Sequence, residues 1–306
     1  GSTIHAFCSS LLREYPDLAG LRPGFGIADD AYQLAILARL GVAPIYRNKT
    51  LKSIAANKLN GKPYGHPNDE RVARKYEAFL GDRNLVDFQD LILKATALLK
   101  TPAGGDIRSK WDVILVDEFQ DLSAAQYELI RQLASDHNHV FAVGDEEQLI
   151  YSFTGADPEV FSTFLNRFNI TRQIHLDKNH RCPREVFEPA RRLIARNESR
   201  VRDRVMTASD SSGFPVVARI FDDSEAELAW IIQDLRADRA ATGTPFGDFA
   251  VIYWRNVLGE DVEAAFVTAG VPCRLAQSRA LADDPTICYL LAAFKVIMNP
   301  DDPILR

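Results

Sequence analysis

The 306-residue sequence has no long apolar run, no leading basic-then-apolar segment and no closely spaced cysteine pair. Without about 20 consecutive apolar residues, no helix of it spans a bilayer. The opening residues lack the charged and apolar regions of a secretory signal. Cys8, Cys182, Cys273 and Cys288 are scattered, with no C-x-x-C among them. Two disulfides are conceivable, but lone thiols in a reducing cytosol fit such spacing better, so a cytoplasmic setting is expected. A formal net charge of −6 runs against a surface that coats polyanions all over, although a cleft can carry a field of its own. There is no internal repeat and no low-complexity segment. The phosphate-cradling pattern G-x-x-x-x-G-K-[ST] is also missing. The nearest glycine cluster, Pro23-Gly24-Phe25-Gly26-Ile27, lacks the Lys-Ser/Thr that neutralises phosphate and reaches magnesium.

What is present is ordinary globular material, 46% hydrophobic and 25% charged, long enough for two domains with separate cores. Its most informative stretch is Val113-Ile114-Leu115-Val116-Asp117-Glu118-Phe119-Gln120-Asp121. A β-branched apolar run that ends in adjacent acids reads as a buried parallel strand delivering carboxylates to the carboxyl edge of a sheet, where open α/β folds bind ligands. One such carboxylate can hold Mg2+ and its neighbour can orient or deprotonate an attacking water. A second arrangement of this kind is Val140-Phe141-Ala142-Val143-Gly144-Asp145-Glu146-Glu147-Gln148. Two strands ending in acids and amides predict a nucleotide-hydrolysing motor.

Periodicity divides the chain. Thr3 to Leu12 reads as a short helix. From about Ile27 to Lys100 apolar residues recur three and four apart, with no strong strand, and turn clusters such as Asn60-Gly61-Lys62-Pro63 separate the helices. Residues 41–100 carry eleven Lys/Arg against six Asp/Glu, among them Arg47, Lys49, Lys52, Lys58 and Lys62. That excess reads either as a basic groove or as a solvated helical face. After Pro102-Ala103-Gly104-Gly105 strands and helices alternate. Strands are expected at 113–118, 140–144 and 173–177, with helices at 123–134, 157–167 and 184–196, a βαβ pattern and hence a parallel sheet. A second α/β stretch follows, with strands at 216–221, 249–254 and 271–276 and helices at 224–240, 261–269 and 286–298.

Several segments together resemble the UvrD/PcrA/Rep-like DNA helicases of superfamily 1. Val116-Asp117-Glu118-Phe119-Gln120-Asp121 is similar to the family's Walker B motif. The run from Val143 to Ala156, Gly144-Asp145-Glu146-Glu147-Gln148-Leu149-Ile150-Tyr151-Ser152-Phe153-Thr154-Gly155 included, is similar to its motif III. Leu176-Asp177-Lys178-Asn179-His180-Arg181 resembles motif IV, and Thr3-Ile4-His5-Ala6-Phe7 the T-x-H segment. Leu85-Val86-Asp87-Phe88-Gln89-Asp90-Leu91 resembles the signature that closes the helical insertion. Ile252-Tyr253-Trp254-Arg255-Asn256 and Met298-Asn299-Pro300-Asp301-Asp302 fit the second motor domain. The resemblance covers essentially the whole chain. It implies an α/β fold of RecA-like P-loop NTPase lobes with parallel sheets and an all-helical insertion. The first lobe is expected at 1–12 and 105–172, the insertion at 13–104 and the second lobe at 173–306. The missing phosphate loop and later motifs make the chain an expected internal fragment of a longer helicase, inactive alone.

The resemblance also implies roles. Asp117 would hold Mg2+, Glu118 would act as catalytic base, and Gln148 would sense the γ-phosphate of ATP. Arg181 would reach the transferring phosphoryl group. His180 stands where the family has an adenine-stacking tyrosine, and Phe153 where it has a tryptophan platform for an unstacked base. Tyr151, beside that platform, packs or joins the DNA contact, and Thr154 replaces an arginine. Thr3 and His5 would touch the phosphodiester backbone, or simply cap the first helix. Asp87 and Asp90 are expected to cap and orient a helix. Arg255 would contact DNA or nucleotide, with Trp254 in the core. Single-stranded DNA and its junctions with duplex are the implied substrates, and repair or recombination proteins the implied partners, with no membrane.

Three other readings remain open. The first is a RecB/AddA-like helicase–nuclease subunit. The second is a helicase relative that binds DNA or protein without turnover. The third is a metal-dependent nuclease or phosphatase built on Asp117, Glu118 and Asp145, disfavoured because no histidine stands among these acids.

Overall fold

The structure is a computed structural model that describes residues 1–137, 139–148, 160–168, 170, 172–196, 206–208, 210–211, 213–276, 287, 289, 290, 293, 294 and 297. It divides into two compact units, Gly1–Ser212 and Gly213–Arg306.

The first unit opens with α1 (Ile4–Glu14), β1 (Gly26–Ile27), α2 (Asp30–Arg39), α3 (Pro44–Asn60), α4 (Pro67–Asp82), β2 (Leu85–Val86), α5 (Phe88–Lys100) and α6 (Gly104–Arg108). The helical block therefore contains one parallel pair, Gly26 opposite Leu85 and Ile27 opposite Val86. Two residues per strand are too few to leave an alternating pattern, which is why the sequence reads there as helix alone.

The central element is α5. Leu91, Ile92, Ala95, Leu98 and Leu99 are all buried, the three-and-four spacing that fills a core-facing stripe. They pack between α1, through Cys8, Leu11 and Leu12, and the later helix α7 (Ala124–Leu133), through Leu129 and Leu133. The amino end of α5 is closed by a reciprocal capping box between Asp87 and Asp90, as the sequence predicts. Beyond its other end the chain doubles back so tightly that a Cβ on Gly104 would lie 2.4 Å from the Leu99 carbonyl oxygen.

Next come β3 (Ile114–Val116), α7 and β4 (Val140–Ala142), with α8 (Val160–Arg167) and α9 (Arg184–Ile194) following. β3 and β4 run parallel, Ile114 opposite Val140, Leu115 opposite Phe141 and Val116 opposite Ala142. Strand, helix and parallel strand form the expected crossover. Ser123 and Gln126 cap the start of α7 reciprocally, and Val116, Phe119, Tyr127, Ile130, Phe164 and Phe168 close a second core.

The strand expected to be buried on both faces is covered on one. Leu115 is 74% exposed and its register partner Phe141 is 56% exposed. Among the described residues β3 and β4 form a sheet of two. Residues 173–177 form no strand; a single parallel bridge, Lys178 to Thr207, stands next to them.

In the second unit α10 (Ser224–Thr242) and α11 (Val257–Thr268) appear as expected, and Leu235, Phe266 and Val271 make its small core. The expected strands at 216–221, 249–254 and 271–276 do not form among the described residues. A strand needs a neighbour for its backbone polar groups, and here none is paired. Ile252 is 93% exposed, and Trp254, expected in the core, is 82% exposed. The helix expected at 286–298 falls mostly outside the described residues. No helix among those described is long and apolar enough to cross a membrane.

Candidate active site

The parallel pairing of β3 and β4 brings two loops side by side at their carboxyl ends. Backbone bonds hold them there: Val143 N donates to Val116 O at 2.8 Å and Phe119 N to Val143 O at 2.9 Å. Asp117 and Glu118 emerge from one loop, Gly144 and Asp145 from the other.

Both acids are exposed. Asp117 Oδ1 accepts the Glu118 backbone N–H at 3.0 Å. Glu118 has φ 47° and ψ 47°, a left-handed conformation sparsely populated by residues with a Cβ. Strain of this kind persists where the surroundings over-determine it, and it concentrates at functional sites. Here the holding contact is Gln120, whose Nε2 donates to Glu118 Oε2 at 2.7 Å. Gln120 is buried, at 3% exposure, and its Oε1 accepts the Asp145 backbone N–H at 3.0 Å. Asp145 then accepts twice, from Glu147 N at 3.1 Å and from Gln148 Nε2 at 2.9 Å. Burial, and after it the nearby Glu118 carboxylate, raises the carboxyl pKa of Asp121.

Asp117, Glu118 and Gln148 are thus joined in one hydrogen-bonded edge. Asp117 keeps a carboxylate oxygen beyond the one bonded to Glu118 N–H, and hard oxygen donors of this kind suit Mg2+. The trio Asp117, Glu118 and Asp145 does not converge. Among the described residues only Glu77, Asp87 and Asp90 lie close enough to share one ion, with ligand atoms within 4.8 Å of one another. That trio already holds a cation of the chain itself. Lys58 Nζ sits 2.6 Å from Glu77, 2.7 Å from Asp87 and 2.7 Å from Asp90. Lys58 is therefore neither a solvated charge nor part of a basic groove; the spacing of helices α3, α4 and α5 folds it inward.

The other expected residues lie elsewhere. Thr3 caps α1, its Oγ1 accepting Ala6 N–H at 3.2 Å. His5 packs edge-on to Phe88, centroids 6.1 Å apart, and burial lowers its pKa. Asn179 Oδ1 accepts the backbone N–H groups of Arg181 and Cys182, both at 2.9 Å, so a local turn presents the exposed Arg181 ahead of α9. His180 is exposed in the same turn. Among the described residues no hydrogen bond joins either to Asp117 or Glu118. Arg255 belongs to the second unit and stands 4.7 Å above the Trp254 ring centroid. Tyr151, Phe153 and Thr154 lie outside the described residues. The residues that sequence reading did not single out are Gln120 and Asn179 in these turns, and Lys58 as an interior charge. A buried amide directly after two acids is a signal that could have marked Gln120.

Comparison with known proteins places this geometry in a family. The UvrD/REP helicase N-terminal domain matches residues 1–169, and the UvrD-like helicase C-terminal domain matches residues 174–306. The ATP-dependent DNA helicase Rep of Escherichia coli (strain K12) is 28% identical over 321 residues, covering 98% of this chain and 47% of that protein. DNA helicase II of the same organism is 29% identical over 317 residues, covering 98% of this chain and 44% of that protein. The ATP-dependent DNA helicase PcrA of Bacillus subtilis (strain 168) is 26% identical over 322 residues, covering 99% and 43%. The chain spans about half the length of the curated relatives it matches. With the N-terminal match alone taking in residues 1–169 of 306, the chain belongs to the UvrD-like helicase family.

Proposed function

We propose that this chain is part of an ATP-dependent DNA helicase, a motor that couples ATP hydrolysis to movement along single-stranded DNA and to separation of duplex. The observation that carries the reading is the edge at which Asp117, Glu118 and Gln148 meet, in a chain whose relatives are named ATP-dependent DNA helicases. The division into a first lobe at 1–12 and 105–172, a helical insertion at 13–104 and a second lobe at 173–306 belongs to this proposal; the two matched domains, 1–169 and 174–306, support it.

Asp117 is the residue to hold Mg2+, which would neutralise charge on the ATP phosphates. Glu118 accepts the proton of the attacking water. Gln148, whose amide is already turned onto Asp145, meets the terminal phosphate. Arg181 offers positive charge to the transferring phosphoryl group, the usual contribution of arginine to this chemistry. His180 supplies a stacking face for the base. Thr3, His5, Tyr151, Phe153 and Arg255 are the DNA contacts. Stacking on Phe153 would hold a base irrespective of its identity, at typically about 1–3 kcal/mol, whereas Thr3 and His5 position the backbone. Junctions of single and double strand are the natural substrates of such a motor, and repair or recombination proteins its natural partners.

The test uses the full-length protein. Steady-state ATP turnover is measured with and without single-stranded DNA, in the wild type and in Glu118→Gln. DNA-stimulated turnover that the substitution removes, with ATP still bound, supports the reading. Turnover that survives it sinks the role given to Glu118.

A further inference from the structure

Resting on the hydrolytic reading above, we propose that Gln120 is a positioning residue that ties the base Glu118 to Gln148 through the Gly144–Asp145 turn, so that the two take up position together. The links are continuous. Gln120 Nε2 donates to Glu118 Oε2 at 2.7 Å, Gln120 Oε1 accepts Asp145 N–H at 3.0 Å, and Asp145 Oδ2 accepts Gln148 Nε2 at 2.9 Å. Each end of the Gln120 amide is used in the sense only an amide supplies, a donor toward a carboxylate and an acceptor toward a backbone N–H. Glutamate in its place would turn an acceptor toward Glu118. Asparagine would fall short of one partner by a methylene.

Two further observations agree. Glu118 holds a left-handed backbone, and the Gln120 bond is the side-chain contact that fixes where its carboxylate then points. Gly144 is not left-handed, so conformational freedom does not explain a glycine there. Space does: a Cβ at 144 would lie 2.7 Å from Gln120 Oε1, 3.2 Å from Phe119 Cβ and 3.3 Å from Gln120 N. The turn that carries Asp145 is therefore bare because the Gln120 amide passes against it. A shift of Gln148 on meeting or losing a phosphate would reach Glu118 through three hydrogen bonds, with no rearrangement of the strands.

The test compares Gln120→Ala, Gln120→Glu, Gly144→Ala and the Gln120→Ala/Gly144→Ala double variant of the full-length protein. DNA-stimulated ATP turnover, ATP affinity from a fluorescent analogue and the melting temperature are read for each. Misplacing a reacting group by about 1 Å can cost on the order of 100-fold, so Gln120→Ala is expected to lower kcat roughly 10- to 100-fold. KM and ATP affinity should stay close to wild type, the signature of an interaction that matters in the transition state. Gly144→Ala should lose kcat similarly, and most of that loss should vanish when alanine already stands at 120. A purely structural amide would move the melting temperature and KM with kcat, and would give additive losses. Should Gln120→Ala fail to fold, the isosteric Gln120→Glu carries the test. Retained kcat in Gln120→Ala or Gln120→Glu, or additivity in the double variant, overturns the proposal while leaving the hydrolytic reading intact. A wild type without turnover that Glu118→Gln removes overturns both.

Discussion

Replacing Lys58 by methionine keeps the aliphatic stem and removes a cation from among three carboxylates. The lysine side chain is 9% exposed, those of Asp87 and Asp90 are 1% and 9% exposed, and each N–O distance is 2.7 Å. Tyr76 Oη also donates to Asp87 at 3.2 Å, so that carboxylate stays bonded after the substitution. Glu77 is 43% exposed and adds little once solvent screening is allowed for. Removing one partner of a buried pair typically costs about 3–5 kcal/mol, because the other charge is left uncompensated. At about 2–4 °C per kcal/mol for a unit of this size, the melting temperature should fall by roughly 10 °C. The loss should depend on pH. Burial, and after it Asp87, already raises the carboxyl pKa of Asp90, and burial raises that of Glu77. Without Lys58 both rise further above their unfolded values. An acid with a raised folded pKa gives stability that is present below its unfolded pKa and lost as pH climbs through the folded one. The variant should therefore lie closest to wild type in mild acid and fall behind toward neutrality. Asp90→Asn placed on top of Lys58→Met should restore part of the loss. Far-UV circular dichroism melts at several pH values make the measurement. A neutral-pH shift under about 2 °C, or one that grows in acid, would refute this account of the cluster.

Glu128 behaves in the opposite sense. Hydrogen bonding from Arg131, then from Lys100 and Gln132, outweighs its burial and lowers its carboxyl to about 2. Its stabilisation is present above the unfolded carboxylate range and is lost as pH falls toward 2. Because the group is partly solvated, Glu128→Gln should cost only about 1 kcal/mol at neutral pH, and next to nothing in strong acid. For the cysteines, burial pushes the Cys8 thiol up to about 12, whereas Cys273 is exposed. A thiol reagent near pH 8 should label Cys273 in the folded protein and reach Cys8 only after unfolding, as peptide mapping would reveal. Phe153→Ala should weaken single-strand binding of the full-length protein by about 1–3 kcal/mol, and unchanged affinity in a fluorescence titration would return Phe153 to a packing role.

What could be read in the sequence followed from local rules. The crossover from β3 through α7 to β4 rests on an apolar run, a capping serine and a second apolar run, all visible in order. Asp87 and Asp90 cap α5 because that box is a three-residue relation. The inward course of Lys58 could not be read, since its partners lie 19, 29 and 32 positions away and only the packing of three helices collects them. The same limit hid Gln120, whose value depends on a turn 25 residues later. Apolar runs at 216–221 and 249–254 read as strands, yet they find no paired neighbours among the described residues: the first stays largely exposed, and the second is half-buried only at Phe249, Val251 and Tyr253. A strand is a property of a pair, and its sequence pattern records only a readiness to pair.

The central claim is motor action on DNA, and strand displacement tests it most directly. A labelled duplex with a single-stranded tail is mixed with full-length protein, ATP and Mg2+, and release of the labelled strand is followed over time for wild type and Glu118→Gln. The account predicts release that requires ATP and disappears in the variant although the DNA is still bound. Binding without release in the wild type, or release that persists in Glu118→Gln, would contradict it.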